Sequence, residues 1–188
     1  MGSQFTYDFN SVTHIVADAL GQPGQRTFFL QARQGRQVAS LIIEKQQVAA
    51  LASSILQLLD ELQAQHPELE PAEAPKHLPK LVEPITPAFR VGQLGLGYDE
   101  EQDLMVLVVQ ALPNADPDED DEEGAVLALD EPPRARFFAT RDQMRALSEK
   151  ALRVVESGRP ECPLCGRPID PSGHFCPRTN GHAYPLAF

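Results

Sequence analysis

Apolar positions follow two rhythms along this chain, and each rhythm occurs in both halves. Residues 5–9 (FTYDF) alternate, THIVADAL follows, and beyond the turn GQPGQ at 21–25 the runs RTFFLQARQ and QVASLIIEK flank Gly35 and Arg36. Two apolar runs joined by a short Gly-containing link predict a β-hairpin. From Lys45 the period changes. Val48, Leu51, Ile55, Leu58, Leu59 and Leu62 recur at three- and four-residue spacing, which predicts an amphipathic helix stopped by Pro67.

The same order returns after residue 88. FRVGQLGLGYD and DLMVLVVQAL predict a second hairpin turning at EEQ, RARFFAT a further strand, and TRDQMRALSEKALRVVESG a helix capped by Thr140 or Asp142 and ending near Gly158. In LIIEKQQVAALASSILQLLDEL and RFFATRDQMRALSEKALRVVES alike, an apolar strand meets a short polar joint and then a long helix. The expected fold class is therefore α+β: two β-β-β-α halves packed as one domain on a shared antiparallel or mixed sheet, with a small C-terminal zinc-ribbon-like tail. The body spans residues 1–158, with halves at about 1–66 and 88–158, and the tail spans 159–188. Pro67, Pro71, Pro75, Pro79, Pro84 and Pro87 remove backbone donors between the halves, so residues 67–87 are expected to form a linker without regular structure. Dense like charge in DPDEDDEEG predicts a solvated acidic loop at 116–124.

Charge narrows the choice of partner. The net formal charge is −11, which disfavours binding of nucleic acid or anionic membrane by the surface as a whole. It is unevenly spread: up to Pro132 there are 22 acids against 7 Lys and Arg, and after it 5 acids against 9. A mildly basic last third, with Arg134, Arg136, Arg153, Arg159, Arg167 and Arg178, keeps a nucleic-acid-binding ribbon as an alternative reading. The N-terminus has no signal-peptide pattern and no apolar run reaches membrane-spanning length, so a cytoplasmic protein is expected, in which thiols more naturally bind metal than pair.

All three cysteines lie in RPECPLCGRPIDPSGHFCPRTNGH. Cys162 and Cys165 form a CxxC pair whose two-residue spacing aims both sulfurs at one ion, and Gly166 supplies a permissive backbone after the turn. Ten residues then lead to Cys176, a length that suits a small zinc ribbon. The fourth ligand is open on geometry. His174 lies two residues before Cys176, on the same face of an extended strand, while His182 follows PRTNG, which can turn the chain back. Four protein ligands make a structural zinc site, and three plus water leave a position for chemistry. A redox dithiol and unliganded thiols are the competing readings, and the first lacks a βαβ context.

The body offers weaker candidates. Arg26 and Gln31, beside a Gly-Pro-Gly turn, are candidate anion or partner contacts, as are Arg167 and Arg178 in the tail. Glu44, at the strand-to-helix joint with Lys45, is a candidate base or simply a solvated residue at a helix start. His14, His66 and His77 read as isolated surface residues. No phosphate-binding glycine loop or nucleophile elbow occurs.

The segments GQPGQRTFFLQAR, IEKQQVAALA, FRVGQLGLGYD and CPLCGRPIDPSGHFCPRTNGH resemble, in that order, an uncharacterised bacterial family known as domain of unknown function 3090, over nearly the whole chain. The resemblance implies a tail of the form G-H-x-C-P-R-x-N-G and so points to His174 as fourth ligand, with His182 standing where the family often has Tyr. It brings no established activity. It implies a setting beside histidine-phosphatase-like proteins and proteins similar to phosphatidylinositol kinases as partners. The functional expectation is a non-enzymatic binding or adaptor protein with structural Zn2+ that acts on a protein partner. Its alternatives are the nucleic-acid-binding ribbon and an accessory or hydrolytic enzyme linked to phosphoryl-transfer proteins.

Overall fold

Every alternating run forms a strand and both helical runs form helices. The computed structural model describes residues 5–113, 132–158, 162–167, 169 and 175–178. In chain order the elements are β1 (Tyr7–Phe9), β2 (His14–Leu20), β3 (Thr27–Gln34), β4 (Gln37–Ile43), α1 (Lys45–Gln65), β5 (Pro87–Asp99), β6 (Leu104–Ala111), β7 (Arg134–Ala139) and α2 (Arg141–Glu156). The strands build one mixed sheet ordered β1-β7-β6-β5-β4-β3-β2. Two antiparallel meanders, β2-β3-β4 and β5-β6-β7, meet in parallel at β4/β5, and β1 runs parallel to β7. The α+β class and its two β-β-β-α units are thus present.

The order has a geometric consequence. β1 and β2 stand at opposite ends of the sheet, six interstrand steps apart, which in a flat sheet is roughly 29 Å. Only residues 10–13 join them, and Phe9 to His14 can span about 17 Å at most. The sheet therefore curls until its ends meet. Adjacent residues seal the joint: Val12 N donates to Phe138 O of the β7 strand (2.9 Å), and Thr13 N donates to Arg33 O of β3 (2.8 Å). β1 and β2 behave as one bent strand in a six-position barrel with two parallel seams.

The two seams are built alike. At one, Leu41 pairs with Phe89, and at the other Phe137 pairs with Phe9, the two phenyl rings lying 5.4 Å apart. After each seam strand comes a helix whose third residue is glutamine. Gln47 Oε1 accepts from Glu44 N (3.0 Å) while its Nε2 donates to Gly92 O (3.1 Å); Gln143 Oε1 accepts from Thr140 N (2.9 Å) while its Nε2 donates to Val12 O (2.9 Å). Each glutamine caps its own helix and fastens the opening of the other half's first strand. In this register Val48 matches Met144, Leu51 matches Leu147 and Ile55 matches Ala151, all buried. The halves are related by a pseudo-twofold along the barrel, and β1 corresponds to the opening residues of β5.

The core is continuous across both halves. Met105, Leu107, Val109, Ala135, Phe137 and Ala139 point inward from β6 and β7, alternating with half-exposed residues, and pack with Leu30, Leu41 and the buried helix faces. At Gly92, where the β5/β6 register shifts, a Cβ would stand 2.9 Å from the Leu112 backbone, so glycine is required.

Residues 66–86 carry no helix or strand, as expected of a proline-rich stretch, and β5 already begins at Pro87. They are nonetheless fixed to the barrel as a strap. Arg141 Nη1 donates to Glu70 O (2.6 Å), Glu73 N donates to Asp142 Oδ1 (2.8 Å), and Val82 exchanges both backbone bonds with Gln31, through Oε1 (2.7 Å) and Nε2 (2.9 Å). The expected acidic loop at 116–124 lies outside the described residues.

Candidate metal centre and strap cavity

The CxxC pair forms a tight knuckle. Gly166 N donates to Cys162 O and Cys162 N donates to Arg167 O, each at 2.8 Å, and the loop closes through Gly166 at φ +71°, where a side chain would be strained. This turn brings Cys165 back toward Cys162, and Cys176 returns from the far end of the excursion. The three sulfurs lie within 4.8 Å of one another, with Cys162 and Cys176 both buried and 3.8 Å apart. Two thiolates on one tetrahedral zinc at about 2.3 Å stand about 3.8 Å apart. The donor set therefore fits a thiolate-binding ion, and three close cysteines can hold one. Loss of water pushes the Cys165 thiol up from its ordinary value, against a hydrogen bond with the Arg167 backbone that acts the other way, and the neighbouring Cys162 and Cys176 push it up further. A cation that takes the protons' place relieves that crowding of sulfurs. His174 and His182 lie outside the described residues. Arg167 and Arg178 are exposed beside the knuckle, as are Leu164 and Phe175.

The body's candidates are placed differently from one another. Arg26 reaches across to the end of α2, where its Nη1 donates to Val154 O and Ser157 Oγ, both at 3.1 Å, while its guanidinium lies over Phe28. A cation at a helix C-terminus complements the helix dipole. Gln31, a candidate anion or partner contact, is instead fully buried, and the strap and Ser40 take up its whole amide (Ser40 Oγ at 2.9 Å). Glu44 is an exposed helix cap paired to Arg90. The structure brings none of these to the thiols.

His14 departs from its surface reading. The strap folds over it and leaves a cavity of about 630 Å3, lined also by Thr13, His77, Glu73, Asp142 and Gln143. Burial lowers the His14 pKa below its ordinary value, against a hydrogen bond to the Lys80 backbone that acts the other way; Arg33 lowers it further. Its Nε2 is buried without a partner in the described structure. Nothing in THIVADAL announced this, since the covering residues lie some 60 positions downstream.

Next to the cavity, Arg141 forks onto both carboxylate oxygens of Asp103 (2.8 and 3.1 Å), and Tyr98 Oη donates to Asp103 Oδ1 (2.7 Å). The Arg141 hydrogen bond holds the Asp103 carboxyl below its usual range, whereas burial and then Asp103 itself push the Tyr98 phenol up to about 12. Asp103 adopts φ +50°, a conformation aspartate tolerates in turns. The tip of the β5/β6 hairpin, the strap and α2 are locked together at this point.

With the barrel and the thiol knuckle in view, the chain can be placed among known proteins. The family model described as Protein of unknown function (DUF3090) matches residues 7–176. The chain belongs to this family. The DUF3090 match begins at Tyr7, the first residue of β1, and ends on Cys176, so it takes in the three thiols and His174 and leaves His182 beyond it. No curated protein and no solved structure matches the chain. Among the described residues no helix is long and apolar enough to cross a membrane.

Proposed function

We propose that this chain is a non-enzymatic binding protein whose C-terminal tail is stapled by one structural zinc ion, held by Cys162, Cys165, Cys176 and His174. The observation that carries the reading is the convergence of the three sulfurs within 4.8 Å of one another, with Cys162 and Cys176 at 3.8 Å, the edge length of a tetrahedral thiolate site. His174 is preferred to His182 because it lies within the family match and two residues from Cys176. A full shell of four protein ligands leaves no open position on the ion, which makes it a staple. The polar body residues that stood out as candidate chemistry, Arg26, Gln31 and Glu44, are engaged in holding the fold, which favours binding over turnover. The acting partner is a protein.

Metal per chain, measured by mass spectrometry on the full-length protein and its variants, tests the reading. One zinc in the wild type and in His182→Ala, with loss in Cys162→Ser and His174→Ala, is expected. Retention in Cys162→Ser would end the zinc staple, and zinc-dependent hydrolysis of any substrate would end the non-enzymatic assignment.

A further inference from the structure

The cavity beneath the strap has the size and the wall chemistry of a small-molecule site. Its volume of about 630 Å3 falls within the range of ligand pockets, and short apolar groups make much of its wall: Ile15 of β2, Ala146 of α2, and Ala74, Pro75 and Pro79 of the strap. The strap is pinned on both sides of this space. Arg141 and Asp142 hold it at Glu70 and Glu73, and Gln31 holds it at Val82. A wall fixed in this way loses little freedom when a ligand enters.

The polar groups of the lining are short of protons to donate. Gln143 spends its amide on Thr140 N and Val12 O, and the Thr13 hydroxyl donates to Arg33 O. Pro75 and Pro79 carry no N–H. Asp142 takes the Glu73 N–H through Oδ1, and the Glu73 carboxylate has no partner among the described residues. Because His14 Nε2 makes no bond, the ring nitrogen that meets the Lys80 backbone is Nδ1, and in the neutral ring Nε2 is an acceptor.

Charge points the same way. Glu73 and Asp142 line the cavity, and among the described residues no Lys or Arg does. A neighbouring depression of about 450 Å3 shares these two acids and adds Glu70; its one cation, Arg141, is already matched by Asp103. Arg33, the cation that acts on His14, turns its Nε to Gly35 O and is not in the lining.

We propose that the strap cavity binds a small organic ammonium ion with an apolar body. The charged end lies at the rim between Glu73 and Asp142, both exposed, and the body rests on Ile15, Ala74, Pro75 and Ala146. The positive N-terminus of α2 offsets part of the Asp142 charge, so Glu73 carries the larger share of the attraction. An anion of the same shape meets both carboxylates and is rejected. The site goes beyond the protein-binding reading and uses neither the thiols nor the metal.

The test is a titration of the 15N-labelled full chain with 4-phenylbutylammonium, 4-phenylbutan-1-ol and 4-phenylbutanoate, three probes that share a body and differ in charge. It is run near pH 7.5, above the ordinary histidine value of about 6.5. Saturable amide shifts at Ile15, Ala74 and Ala146 are expected, with the ammonium bound about threefold to tenfold more tightly than the alcohol and the carboxylate weakest. Glu73→Gln, at an exposed strap position, should cut the advantage of the ammonium by about threefold with Tm and bound metal unchanged, so failure of the zinc staple and failure of the cavity are read separately. Absence of saturable shifts with the ammonium, equal or tighter binding of the alcohol or the carboxylate, or an undiminished advantage in Glu73→Gln would overturn the proposal. Shifts confined to Gly92 and Gly95, which lie outside this cavity, would overturn it as well.

Discussion

Replacing Gln31 by leucine should detach the middle of the strap without altering the barrel. Leucine nearly preserves the volume of glutamine, so the change is chiefly one of hydrogen bonding. Three bonds vanish together: Val82 N–H to Oε1, Nε2 to Val82 O and Nε2 to Ser40 Oγ. A net bond is worth about 1 kcal/mol, and a buried group left unpaired costs about 1–3 kcal/mol. Gln31 and Ser40 are buried whereas Val82 can regain water by lifting away, so the expected total is about 2–4 kcal/mol. For a chain of this length each kcal/mol lowers Tm by about 2–4 °C, giving a drop of about 5–15 °C. Hydrogen exchange supplies the local readout, because the Val82 amide should lose its protection while the inward-facing Leu107 and Phe137 amides keep theirs below the melting range. A fall in Tm of less than about 2 °C with unchanged exchange at Val82 would refute the view that Gln31 anchors the strap.

Other outcomes follow from the same geometry. Gln47→Leu and Gln143→Leu should destabilise the chain by similar amounts and add within about 0.5 kcal/mol in the double variant, as read by urea unfolding, because the seams they fasten are equivalent and separate. His14 has a lowered pKa in the fold, so the unfolded chain takes up its proton first; stability is complete above the ordinary value near 6.5 and falls as pH drops through it, and His14→Gln should flatten that acid limb in a Tm-against-pH series. Tyr98 is raised to about 12, so the stability it contributes is complete below its ordinary value near 10 and is lost between about 10 and 12; Tyr98→Phe should remove the last tyrosinate step in an ultraviolet pH titration. Gly166→Ala meets open space but keeps a positive φ, so it should cost about 1 kcal/mol in the knuckle and weaken metal binding about fivefold, measured by competition with a chelating dye.

The strands and helices were legible because hydrophobic period is a local property; the choice between Thr140 and Asp142 as the cap of α2 was left open by TRDQ and falls to Thr140 in the structure. Closure of the barrel was not, since Val12 and Thr13 bond to strands separated by about a hundred residues of sequence and no period encodes that pairing. The strap shows the same divide. Six prolines correctly predict irregular backbone, but attachment to Gln31, Arg141 and Asp142 depends on side chains that tertiary structure brings near. Gln31 did carry a signal: one amide set among FFL and A in an alternating strand marks a polar group entering an apolar layer, which must find buried partners. At the thiols, spacing sufficed for the three sulfurs because CxxC plus a returning Cys constrains a short loop.

The bent β1–β2 strand also sets the order in which the molecule can be made. Asp8 and Arg136, partners across β1 and β7, are 128 residues apart, so the first strand has no place to dock until the last has been synthesised. During synthesis the β2-β3-β4 meander and α1 can assemble early, but their far edge stays open and Phe9 stays solvated until Phe137 arrives. Such late, long-range pairing slows the final step of folding and makes the ribosome-bound first half the stage most exposed to chaperones and to pairing with other chains.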